Sequence, residues 1–195
     1  MKQKYELKDF MNVALFVVLY YVAFFIAMCA GYIPVLMSIL PLITGIVCGI
    51  PFMLFLTKVK KPGMILLMGL ICGLLSLTMG SGIWPLITAL AASLLAELIL
   101  WLLHYTSTIK TIFVYAVFTL WDIGFGLRLY LASFESYRAE LIEQYGEAYV
   151  SEMLTNVSGV GFWGGVVLTL LGGVLGGLLG YWVFKKHFQK IGKKA

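Results

Sequence analysis

The sequence predicts an all-α polytopic membrane protein, and three observations carry that prediction. Only 12% of its 195 residues are charged, while 62% are hydrophobic. A water-soluble domain carries about 25% charged residues, because its surface must be solvated. Mean hydropathy is +0.99, so lipid has to be the solvent for much of the surface. Finally, runs of about 20 apolar residues recur along the whole chain. These runs lack the alternation of a lipid-facing barrel, and an open sheet would leave backbone groups unpaired in hydrocarbon.

Six spans follow, at roughly 10–30, 35–57, 64–79, 84–105, 109–133 and 160–184. They make one membrane domain over 1–195, with no polar stretch long enough for a separate soluble unit. The third span is short and ends in Met79-Gly80-Ser81-Gly82, which predicts a tight loop or a broken helix end. The first apolar segment runs too long for a cleavable signal and lacks a small-residue cleavage site. Cys29, Cys48 and Cys72 all lie in apolar segments and read as small hydrophobes.

Charge sets the expected orientation. Lys2, Lys4 and Lys8 precede span one; Lys58, Lys60 and Lys61 fall between spans two and three. Lys110 follows span four, and Lys185, Lys186, Lys190, Lys193 and Lys194 follow span six. A six-span chain puts every lysine on one side. Arg128, Arg138 and the glutamates at 135, 140, 143, 147 and 152 fall on the other. By the positive-inside rule the lysine side, with both termini, is cytoplasmic. The net charge of +5 is then a topology signal met by lipid headgroups, and not a nucleic-acid footprint.

The polar stretch 134–156 repeats Phe134, Tyr137, Leu141, Ile142, Tyr145, Tyr149 and Met153 at three- and four-residue steps. This is an amphipathic helix broken at Gly146. It reads either as a helix resting on the outer membrane surface or as a lid over an outward pocket. Its acidity disfavours simple attraction to anionic headgroups.

Span six carries glycines at four-residue spacing, among them Gly172/Gly176, Gly173/Gly177 and Gly176/Gly180. Such faces allow close helix approach, expected here within the bundle. Ala23 and Ala27 form a second small-residue pair, a notch between bulky aromatics on span one.

Charged residues inside spans are costly and are therefore candidates for function. Glu97, Asp122 and Arg128 qualify. By helical spacing Trp121, Phe125 and Arg128 share a face, and Asp122 points elsewhere. Arg128 is read as binding a carboxylate or phosphate, with the Trp121 indole stacking on a flat ring. Trp84 and Tyr32, at outer helix ends, read as pocket walls or as interfacial anchors. Glu97 and Asp122 could equally be structural, bonding a neighbouring helix. His104 and His187 fall near the cytoplasmic face, and no HExxH, Walker A, nucleophile elbow or His/Cys cluster is present. No enzyme activity and no cofactor is expected.

The opening Leu7-Lys8-Asp9-Phe10 before an aromatic first span, the Tyr145-Gly146-x-x-Tyr149 of the polar segment and the closing Lys186-His187-Phe188-Gln189-Lys190-Ile191-Gly192 carry a resemblance. Across essentially its whole length the chain resembles the S components of energy-coupling factor (ECF) transporters of the Trep_Strep or MptD-type family. The resemblance implies capture of a micronutrient outside the cell, and partnership with a T component and two ATPases. It also implies T-component docking through the AxxxA at Ala23 and Ala27. The ligands it implies range from vitamins to haem or another tetrapyrrole. Haem would need axial ligands such as Met79, Met37 or Tyr32, since the histidines lie on the other side. Two other readings stay open. A stand-alone carrier or channel should show inverted repeats with matching broken helices, and none is evident. A structural or regulatory subunit should show no ligand response.

Overall fold

The computed structural model describes residues 5–58, 61–104, 109–131 and 134–187. Lys2, Lys4, Lys60, the span ends Tyr105 and Ser133, and the C-terminal motif from Phe188 onward with its lysines lie outside the described residues. The described chain is helical, without a strand. Its α-helices are α1 Leu7–Met28, α2 Leu40–Lys58, α3 Met64–Thr78, α4 Trp84–Leu102, α5 Thr111–Phe118, α6 Ile123–Gly126, α7 Phe134–Tyr145 and α8 Glu147–His187. Short 3₁₀ helices join α1 to α2 and flank α6.

Five segments are long and apolar enough to cross a membrane: Leu7–Tyr32, Pro34–Lys58, Trp84–Leu102, Thr111–Tyr130 and Glu147–Val183. The sixth, α3, has 15 residues. At 1.5 Å per residue it is about 22 Å long, against about 30 Å of hydrocarbon.

Backbone contact through glycine organises the bundle. α2 and α8 run parallel, with Gly45 against Gly172 and Gly49 against Gly176. A Cβ on Gly49 would lie 2.1 Å from the Gly176 carbonyl atoms, and one on Gly180 would lie 2.6 Å from the Gly49 oxygen. The neighbouring face of α8, Gly173 and Gly177, meets Ala116 and Ile112 of α5. Span six thus packs inside the bundle on two sides, as its spacing predicts.

Around this seam lies an aromatic core. Tyr20, Phe52, Phe55, Tyr115, Phe118 and Trp121 are all buried. Ring centroids of Phe52 and Phe118 are 4.6 Å apart, and those of Tyr20 and Phe118 are 5.7 Å apart, edge to face. The Tyr115 hydroxyl donates to the Gly45 carbonyl at 2.6 Å, filling the one polar need of a buried ring.

The lysine side is tied by charge. Lys61 reaches Asp9 at 2.6 Å, and the Tyr5 hydroxyl donates to the Pro62 carbonyl, joining the start of α1 to the α2–α3 turn. The opposite side is built differently. There the chain makes its 3₁₀ turns, and Gly80, Gly82, Gly146 and Gly161 take positive φ.

A lidded cavity on the acidic side

A cavity of about 460 Å³ opens on the acidic side of the bundle. Its walls are the end of α1 with the following turn, the α3–α4 turn at Met79–Ser81, and the segment 122–130. α7 and the first turns of α8 cover it. These two helices are the polar stretch 134–156, broken at Gly146 (φ 85°) where the sequence predicts a break.

A second break, at Gly161 (φ 69°, ψ 171°), separates the covering part of α8 from its membrane part. That conformation is essentially restricted to glycine. A Cβ there would meet no atom within 4 Å, so the requirement comes from the backbone and not from crowding.

The cover is held by three kinds of contact. Leu141, Val150 and Met153 form a small apolar cluster with Met37 and Leu129 beneath. The Tyr149 hydroxyl donates to the Gly31 carbonyl. Arg128 pairs with both carboxylate oxygens of Glu140, at 3.0 and 2.9 Å, and its guanidinium lies 4.1 Å over the Tyr137 ring. Burial pushes the Tyr137 phenol up from its ordinary pKa, and the Arg128 charge pulls part of the way back.

The structure redistributes the residues singled out from sequence. Arg128, Phe125, Tyr32 and Asp122 line the cavity. Trp121 does not. It is fully buried in the core, where its indole N–H donates to the Tyr20 hydroxyl at 3.0 Å and its ring packs 5.0 Å from Phe24.

The reason is local winding. Thr119–Asp122 and Leu127–Tyr130 are 3₁₀ helices, in which residues three apart stack. Asp122, Phe125 and Arg128 then share a face, and Trp121 turns away from it. Tight contact with α4 accompanies the change. Gly124 lets Pro85 and Thr88 approach so closely that a Cβ would lie 2.3 Å from the Thr88 hydroxyl, and that hydroxyl donates to the Trp121 carbonyl at 2.7 Å. Asp122 in turn accepts from Thr44 at 2.6 Å.

Three further sets of candidates lie outside the cavity lining. Glu97 is far from the cavity and accepts from the Ile65 backbone N–H at 2.9 Å, capping the start of α3. Trp84 is half-buried at the start of α4 and does not line the cavity. Ala27 is buried and Ala23 is partly buried against the core. The helical phase that buries Val13, Phe16, Val17, Tyr20 and Phe24 carries Ala27 inward with them and leaves Ala23 partly exposed.

Met37 and Met79 line the cavity together with Met28 and Met153. Sequence reasoning missed Thr44, Glu140 and Tyr137 as partners. Thr44 was visible as a polar residue in an apolar run, but nothing in its own span showed that it would meet Asp122.

A bundle of apolar helices, five of them among the described residues long enough to cross a membrane, defines a multi-pass α-helical membrane protein. More particularly, the chain belongs to the Trep_Strep family, described as hypothetical bacterial integral membrane protein, whose model matches residues 7–190. No curated protein and no solved structure matches the chain.

Proposed function

We propose that this chain is the substrate-capture subunit of an ECF-type importer. It binds a micronutrient from outside the cell and hands it inward with a T component and two ATPases. The observation that carries the reading is the cavity on the lysine-poor side, roofed by a segment with a glycine at each end of its second helix. Pockets for small ligands run from about 300 to 1,000 Å³, are mostly apolar and hold a few placed polar groups. The cavity matches this description in volume, in its aromatic and methionine walls, and in Asp122, Arg128 and Glu140.

The lysine distribution faces the cavity outward. The resemblance to ECF S components supplies the energising partners, because the sequence holds no ATP-binding motif of its own.

Affinity purification from its native membrane tests the reading. The expected result is co-purification of one T-type membrane subunit and two ATPases, with uptake of a nutrient that depends on them. A protein recovered without any ATPase, in cells whose nutrient uptake is unchanged by its deletion, contradicts it.

A further inference from the structure

We infer that the cavity takes an organic cation, a ring-bearing amine or quaternary nitrogen whose positive charge sits at Asp122 among aromatic side chains. This rests on the capture reading and adds the ligand's chemical class to it.

The argument begins with the acidic and basic side chains of the lining: Asp122, Arg128 and Glu140. Arg128 is already matched. Both oxygens of Glu140 lie within 3.0 Å of it, and the Tyr137 ring covers its face. An incoming anion would have to displace a carboxylate that is held by the same lid.

Asp122 has no cationic partner among the described residues; its side-chain bond is to Thr44. Its Oδ2 accepts from Thr44 at 2.6 Å. Its Oδ1 bonds no described residue, yet no buried side-chain oxygen lacks a partner, so Oδ1 opens onto the cavity. A neutral apolar ligand closing over it would strip water from a carboxylate and return nothing. A cation returns an ion pair.

The walls point the same way. Phe25, Phe125, Tyr130, Tyr149 and Phe162 line the space, and ring faces attract cations, most strongly where water is excluded. The approach does too: the covering segment 134–156 carries five glutamates against one arginine. A field of that sign concentrates cations at the mouth and repels acids. A bare metal ion is a poorer fit, because no three His, Cys, Asp or Glu side chains converge among the described residues.

The test uses the full-length protein in lipid nanodiscs and a panel of one- and two-ring compounds. Each ring is supplied as amine, alcohol and carboxylate; for indole these are tryptamine, tryptophol and indole-3-acetate. Melting temperature and titration calorimetry are read for each. The inference expects amines to raise the melting temperature most and to bind about tenfold or more tighter than their partners. Asp122→Asn should erase that preference. Because this variant could fold poorly, the ranking of the three charge classes on the parent protein decides the matter without it.

Carboxylates or alcohols that stabilise as well as amines overturn the inference and leave the capture reading standing. So does an amine preference that survives in a folded Asp122→Asn protein. Haem, with its two carboxylates, belongs among the overturning results if it binds more tightly than the amines. A panel in which no member of any class shifts the melting temperature counts against both.

Discussion

The lysine-side half and the cavity-side half of this bundle are built from the same apolar residues, yet they obey different packing rules. Toward the lysine side, α2 and α8 touch backbone to backbone through glycines, and the aromatic core of Tyr20, Phe52, Phe55, Tyr115 and Phe118 leaves no ring exposed. Toward the cavity, the helices change to 3₁₀ winding, four glycines take positive φ, and a polar segment closes the end. Glycine serves both halves in opposite ways. In the first its missing Cβ makes room for another helix; in the second its backbone freedom makes a hinge.

The largest effect should come from the packed half. Gly49→Leu places side-chain atoms where the Gly176 backbone lies, so α2 and α8 must part along their length. Overpacking typically costs about 1–3 kcal/mol and sometimes more, and this contact has no flexible side chain to yield. Little folded protein should be recovered, as judged by size-exclusion chromatography in detergent. Gly165→Leu, on α8 but open to the cavity with no atom within 4 Å, should fold normally. Equal damage from both would erase the distinction between the halves.

Next in size is Gly161→Ala. Holding alanine at φ 69° and ψ 171° costs about 1–3 kcal/mol. The chain can relieve this by straightening α8, which would lift the covering segment. Faster hydrogen exchange across 134–160, with the membrane part of α8 unchanged, is the expected signature.

Trp121→Phe separates a core role from a ligand role. It keeps a ring beside Phe24 but removes the donor to Tyr20. The expected cost is about 1 kcal/mol of stability in a denaturation curve, with ligand affinity nearly unchanged. The sequence reading of Trp121 as a stacking wall predicts the reverse.

How far the sequence reveals each half follows from the same contrast. The glycine seam of span six could be read directly, because a four-residue spacing in an α-helix describes one face wherever that face points. The break at Gly146 was also readable, from periodicity interrupted by a glycine, whereas the choice between a surface helix and a cover for 134–156 was not. The faces of span five were not. Which of Trp121 and Asp122 meets the cavity depends on 3₁₀ winding that arises alongside Gly124 fitting under Pro85 and Thr88, a contact with a different helix. The pairing of Arg128 with Glu140 was hidden for a similar reason: they are brought together by the path between the last span-five turn and α7. On α1 the alanine notch was visible, but its phase was not. Ala27 turns inward with the aromatic stripe of Phe16, Tyr20 and Phe24, whereas Ala23 stays partly exposed.

The smallest effect on stability belongs to the lid tie. Arg128 and Glu140 form a partly exposed pair, with side chains 20% and 58% accessible, and such pairs contribute about 0.2–1 kcal/mol. Glu140→Gln should hardly move the melting temperature. It should nonetheless raise the exchange rate of α7 amides, because α7 loses its ion pair to Arg128 and keeps the Tyr137 ring contact and the small Leu141 cluster. A change in global stability without a change in α7 exchange would count against a lid.

The central claim is that the covered cavity faces the outside of the cell, and the native protein carries a probe for it. Cys29 lines the cavity and is exposed, whereas Cys48 and Cys72 are fully buried and serve as internal silent controls. Intact cells treated with a membrane-impermeant maleimide, followed by peptide mass spectrometry, give the answer directly. The account predicts modification at Cys29 from outside, with Cys48 and Cys72 unmodified. Modification of Cys29 only in inside-out vesicles would reverse the orientation, and with it the assignment of the cavity to capture.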